Sequence, residues 1–112
     1  MTTEFRGHTA DGAVDALPFI QGLLGTPLTI GALMEAIRQG EGQTQAEFAA
    51  RLGISKSHLC DIEKGRKLLS PERAVRFAAV LGYAAEQFLR LTLQEAVDRA
   101  GLHFTVELKQ SA

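Results

Sequence analysis

The 112-residue sequence has a single cysteine, Cys60, and no tryptophan. One cysteine forms no intramolecular disulfide, so packing must hold the fold together, and the expected compartment is a reducing one, the cytoplasm. Long apolar runs are missing as well: no stretch reaches the roughly 20 residues of a membrane span. The opening MTTEFRGHTADGAVDA lacks the basic stretch and apolar run of a secretory signal. Metal-ligand spacings, a glycine-rich phosphate loop and a nucleophile beside a base are all absent. Cys60 and His58 are two apart, hence on different faces of a helix, while His8 and His103 lie far off in sequence. The expectation is a protein with no metal, no cofactor and no catalytic role, in which Cys60 is a small packing residue.

The formal net charge, -1, is close to neutral, but its distribution is uneven. Residues 1–43 sum to -3 and residues 77–112 to -1. Residues 44–76 sum to +3, through Arg51, Lys56, Lys64, Arg66, Lys67, Arg73 and Arg76 against Glu47, Asp61, Glu63 and Glu72. Hydrophobic residues make up 46% of the chain, enough for one domain with a core, and the length is short for two. A polyanion would be met by the middle third.

Residues 1–15 are polar and aperiodic, and a flexible arm is expected there; LPFIQGLLGTP suggests one short apolar helical turn after Pro18. From Thr29, a possible cap, Ile30, Leu33, Met34 and Ile37 follow helical spacing, and Gly40 and Gly42 end the run. Thr44-Gln-Ala-Glu47 has the pattern in which threonine and glutamate each satisfy an amide of a first helical turn, with Phe48, Ala49 and Leu52 on the inner side. Gly53 suits the left-handed position after a helix. Ser55 then caps a third helix, with Leu59 and Ile62 inward, ended by Gly65. SPER at 70–73 starts a fourth, nearly all apolar and expected to be central. A fifth, about Ala85 to Ala100, has two apolar edges, Leu89, Leu93, Ala96, Val97 and Ala100 on one, Phe88 and Leu91 on the other. Finally, HFTVEL alternates with the period of a strand that would need a mate.

Gln45 and Ala49, the corner Gly53-Ile54-Ser55, Leu59 and Ile62, then Glu63-Lys64-Gly65 resemble the helix-turn-helix of the phage-repressor (Cro/C1, XRE) family. The resemblance covers about 28–81. It implies an all-α, five-helix, lambda-repressor-like DNA-binding domain, here with a flexible N-terminal arm and a short C-terminal β-strand. The divisions read from it are 1–27 (arm and short apolar segment), 28–83 (helix-turn-helix domain) and 84–112 (long helix and strand, for dimerisation). A weaker likeness is to bacterial antitoxin-type regulators.

Two helices joined at a tight glycine corner cross steeply, so the second can enter a major groove while the first lies across phosphates. On the second helix the residues opposite Leu59 and Ile62 are Lys56, Ser57, His58 and Asp61, the candidates for reading bases. His58 is equally readable as a solvated histidine and Asp61 as an exposed helix charge. By the resemblance, Gln45 and Lys64 contact phosphates; Thr44 is expected to contact the DNA backbone as well, and Arg66 and Lys67 add charge. It also implies an inner ion pair between Arg38 and Glu63. Leu89, Leu93, Phe104, Val106 and Leu108 are the candidates for dimerisation. The function expected is a transcriptional regulator, homodimeric on an inverted-repeat operator of double-stranded DNA. The alternative is an antitoxin-like module that neutralises a partner toxin and autoregulates its operon.

Overall fold

A computed structural model describes residues 28–111. The arm and the short apolar segment read from the sequence lie outside the described residues. Five helices follow in order: α1 (Ile30–Gly40), α2 (Gln45–Leu52), α3 (Lys56–Glu63), α4 (Pro71–Leu81) and α5 (Ala85–Arg99). Four are started by a hydroxyl side chain. Thr29, Thr44, Ser55 and Ser70 accept hydrogen bonds from the amides of Ala32, Glu47, His58 and Arg73. In α2 the Glu47 carboxylate also takes the Thr44 amide at 2.9 Å, closing a reciprocal cap. The fifth helix begins at Ala84 without any side-chain cap, so its position rests on packing.

That packing is one core. Met34, Phe48, Leu59, Ile62, Phe77 and Phe88 are at most 1% exposed and come from all five helices. Each such side chain contributes about 1.5–3 kcal/mol when removed from water. α5 lies along α4 and touches α1, with Phe88 and Leu91 inside, so the helical core reaches beyond residue 83. Its second edge, Leu89, Leu93 and Val97, is half-buried. In α4 only Ala74, Phe77, Ala78 and Leu81 are buried; Val75 and Val80 remain about 40% exposed, so this helix is less central than its apolar sequence suggests.

The expected C-terminal strand is corrected by the structure. Among the described residues there is no strand, and residues 102–111 carry no regular structure. The Gln94 side chain on α5 takes the place of a neighbouring strand. Its Nε2 donates to the Phe104 carbonyl at 2.9 Å, and its Oε1 accepts the Val106 amide at 2.7 Å. One carboxamide thus satisfies a backbone acceptor and donor that would otherwise need a ladder. The alternation survives in part: Val106 and Leu108 are half-buried and Thr105 and Glu107 exposed, but Phe104 is 69% exposed.

Gly31, in the first turn of α1, is buried against the backbone of α3. A Cβ added there would lie 2.1 Å from the Ile62 carbonyl oxygen, closer than any real contact. Only glycine lets the two helices approach so closely. Gly31→Ala is therefore expected to lower stability by about 1–3 kcal/mol, the usual cost of overpacking. Urea unfolding that left the midpoint unchanged would contradict this contact.

Candidate nucleic-acid interface

The corner between α2 and α3 is made by Gly53, which adopts φ 77° and ψ 28°. A side chain there would meet open space, so the requirement is the left-handed backbone itself. Its amide and that of Ile54 return to carbonyls of the last turn of α2, at Ala50 and Ala49. Ile54 packs on the core and Ser55 starts α3 at once. Three residues therefore turn the chain from one helix into the next.

The angle is held from the other end of α3. The Glu63 side chain is 1% exposed, and both its oxygens are occupied. Arg38 Nε donates to Oε2 at 2.8 Å and Nη2 to Oε1 at 3.1 Å. Gln45 Nε2 donates to the same Oε1 at 3.0 Å. Arg38 Nη1 also reaches the Gln43 carbonyl at 3.2 Å. One carboxylate on α3 is thereby tied to α1, to the α1–α2 loop and to the start of α2. The hydrogen bonds to Glu63 raise the Arg38 pKa above its ordinary value, outweighing the opposing effect of burial. Stranding one member of such a pair costs about 3–5 kcal/mol.

With the angle set, α3 exposes Lys56 and Ser57 at its first turn, and Lys64, Arg66 and Lys67 are exposed just past its last. Comparison with known proteins bears on what such an arrangement is. A family model described as a helix-turn-helix domain matches residues 29–91, more than half of the chain. The chain belongs to the helix-turn-helix family. It is also similar to the ImmF control region 10 kDa protein of Bacillus phage phi105, 33% identical over 72 residues that make up 64% of this chain and 79% of that protein. A phage relative agrees with the phage-repressor resemblance carried by the corner and by Glu63-Lys64-Gly65. No solved structure matches. Among the described residues no helix is long and apolar enough to cross a membrane, and no group of side chains could hold a metal ion.

Within the helix-turn-helix, the four candidate base readers separate into two kinds. Lys56 and Ser57 stand free at the amino end of α3. His58 is half-buried and lies against Arg73 of α4, whose Nη1 is 3.3 Å from Nδ1 and 3.2 Å from Nε2. Asp61 is half-buried and accepts from Arg66 Nε at 2.9 Å, while its carbonyl takes the Arg66 amide at 2.8 Å. Both therefore have intramolecular partners in the free protein.

Among the phosphate candidates, Lys64 and Lys67 are exposed, and Arg66 is 59% exposed in its side chain with Nε on Asp61. The Thr44 hydroxyl serves as the cap of α2, and the Gln45 side chain points to Glu63; both residues still bring their backbone to the amide end of α2. Cys60 is half-buried, with Arg66 Nη2 3.6 Å from its sulfur. Sequence reasoning missed Arg73, because its contact spans fifteen residues and its own helix offers no periodic clue.

His58 has a pKa below the ordinary 6.5, first because of burial, then because of the Arg73 and Lys67 charges, with Asp61 opposing. The unfolded chain then binds more protons than the native state between the two values, so this histidine supports the fold above about pH 6.5 and the support is lost as pH falls through the native value. The expected observation is a His58 ring titration in the NMR spectrum with a midpoint under 6.5. The stability lost between about pH 7.5 and about pH 5.5 should be smaller in His58→Gln. A midpoint at or above the ordinary value would contradict the burial.

Proposed function

We propose that the protein is a sequence-specific transcriptional regulator that binds double-stranded DNA as a homodimer on an inverted repeat. The observation that carries this reading is the frame itself: a helix-turn-helix whose second helix is clamped from behind by Glu63, with Lys56 and Ser57 exposed at one end and Lys64, Arg66 and Lys67 at the other. The name of the phage phi105 relative, a control region protein, supports a regulatory role.

In this reading α3 lies in the major groove. The Lys56 ammonium donates to guanine O6 and N7, and the Ser57 hydroxyl can donate or accept. His58, neutral at pH 7, and Asp61 contribute by limiting which bases fit. The exposed cations after α3, with the amides at the start of α2, hold phosphates on either side of the groove. Charge near neutrality overall is no obstacle, because only the local field acts within a Debye length of about 8–10 Å.

The homodimer rests on surface left over by the fold. Leu89, Leu93 and Val97 recur along the outer edge of α5, and Gln94, on the same helix, holds the segment that carries Phe104, Val106 and Leu108. Phe104, at 69% exposure, has no place in the core. A two-fold axis through this surface would set two α3 helices about one turn of DNA, roughly 34 Å, apart. The other occupant of such a surface, an unlike protein such as a toxin, has no observation of its own in its favour.

Selection of bound fragments from genomic DNA should yield a pseudo-palindromic site. Lys56→Ala or Ser57→Ala should change the selected bases at one position per half-site, each costing about 1–3 kcal/mol of discrimination. Lys64→Ala should weaken all sequences alike. With about four phosphates neutralised per protomer, log affinity should fall with log salt at a slope near -7. An unchanged selection in the Lys56 and Ser57 variants would mean that another element reads the bases. Light scattering that showed a monomer at micromolar concentration would remove the homodimer.

A further inference from the structure

Arg73, half-buried in the first turn of α4, is a cation without a counter-charge: among the described residues no carboxylate pairs with it. Its place, three residues after the cap Ser70, is the amino end of a helix, where the backbone disfavours positive charge. Among the described residues its guanidinium meets one hydrogen-bonding side chain, the His58 ring on α3, with Nη1 3.3 Å from Nδ1 and 3.2 Å from Nε2. We propose that Arg73 is a DNA-contacting residue held in reserve on neutral His58, and that in the DNA complex the His58 ring takes up a proton and releases Arg73 to a phosphate. The proposal rests on the DNA-binding reading above, in which α3 enters the groove.

The contact is conditional on the charge of the ring. A neutral imidazole has one N–H and one acceptor nitrogen, an imidazolium has two N–H groups and no acceptor, and a guanidinium has donors alone. Because Nη1 stands beside both ring nitrogens, either neutral tautomer offers it an acceptor. Protonation removes that acceptor and leaves two cations in contact, whichever tautomer was present. A neutral ring therefore holds Arg73, and a charged ring expels it.

The surroundings decide when the ring charges. His58 is faced by Asp61 from α3, by Lys67 from the loop after α3 and by Arg73 from α4. Asp61, the one anion of the three, is already engaged by Arg66. In the free protein, burial and the two cations hold the ring's pKa below its ordinary value, so it stays neutral at pH 7 and keeps Arg73. A phosphate laid beside α3 reverses this balance. It neutralises Lys67, adds an anion near the ring, and offers Arg73 a charged acceptor that a guanidinium engages with two parallel hydrogen bonds. His58 then binds its proton more tightly in the complex than in the free protein. Affinity for DNA accordingly rises as pH falls from the bound value towards the free value, and is flat outside that window.

The test is calorimetry of the full 112-residue chain with a duplex carrying the site selected from genomic DNA, in two buffers of different ionisation enthalpy. At about pH 6, binding by the wild type should take up a measurable fraction of a proton per protomer, and His58→Gln should lose most of that uptake. Wild-type affinity should be at least about threefold higher at pH 6 than at pH 7.5, with the difference flattened in His58→Gln. Over the same pH change the salt slope of the wild type should steepen by about 0.9 for each phosphate that an Arg73 side chain gains, and that of Arg73→Gln should not steepen. Arg73→Gln should also move the free-protein His58 ring titration up towards the ordinary 6.5 in the NMR spectrum.

Uptake that persisted in His58→Gln would place the proton on another group and overturn the proposal. Equal steepening in Arg73→Gln would overturn the phosphate contact. Binding at both pH values with neither uptake nor a change in affinity would overturn the coupling and leave the DNA-binding reading standing. Failure to bind any fragment at either pH would overturn that reading, and the proposal with it.

Discussion

The Glu63 carboxylate is the point on which the arrangement of the first three helices depends. It sits at the last residue of α3, 1% exposed in its side chain, and would be intolerable there without donors. Arg38 and Gln45 supply three, from α1 and α2, the two helices that precede the corner. Apolar packing draws α1, α2 and α3 together but is indifferent to a few degrees of rotation. A bidentate guanidinium is not, because two parallel hydrogen bonds fix both distance and direction. Gly31 belongs to the same constraint: it lets α1 approach the α3 backbone at Ile62, the residue before Glu63. The tilt of α3, and hence where Lys56 and Ser57 point, follows from these contacts.

The clamp also explains how a nearly neutral protein offers a basic edge. Glu63 is buried and neutralised by Arg38, a residue from outside the basic middle third, while Glu47 is spent on capping α2. Asp61 is paired with Arg66, whose guanidinium still extends into solvent. Lys56, Lys64 and Lys67 are left as exposed cations at the two ends of α3. His58 and Asp61 brace α3 through Arg73 and Arg66, and Lys56 and Ser57 at its amino end stay exposed. An exposed amino end on a braced helix suits the groove-entering role proposed for α3.

Local chemistry was legible in the sequence, and close approach between distant backbones was not. The caps at Thr29, Thr44, Ser55 and Ser70 and the corner at Gly53 follow from short-range rules, and each stands where the residues indicate. Arg38 and Glu63 lie twenty-five residues apart, and only the resemblance joined them in advance. Gly31 gave a faint signal, a glycine inside a strongly periodic helix, whose meaning required the position of Ile62. HFTVEL misled because alternation reports which side chains face inward and says nothing about what pairs with the backbone. Here a side-chain amide, Gln94, does so in place of a strand. The wide apolar stripe of α5 hid two polar residues on its buried face, Thr92 and Glu95, since helical spacing alone does not distinguish a threonine or glutamate turned inward from one at the rim.

The central claim is that DNA meets the protein at the two ends of α3 and the start of α2, the elements that the Glu63 clamp holds together. Amide chemical-shift mapping of the full chain with a selected DNA fragment tests it most directly. The account places the largest changes at residues 44–47, 55–58 and 64–67, with residues 34–38 nearly unmoved. Dominant changes along α1 or α4, with the first turn of α3 silent, would contradict it.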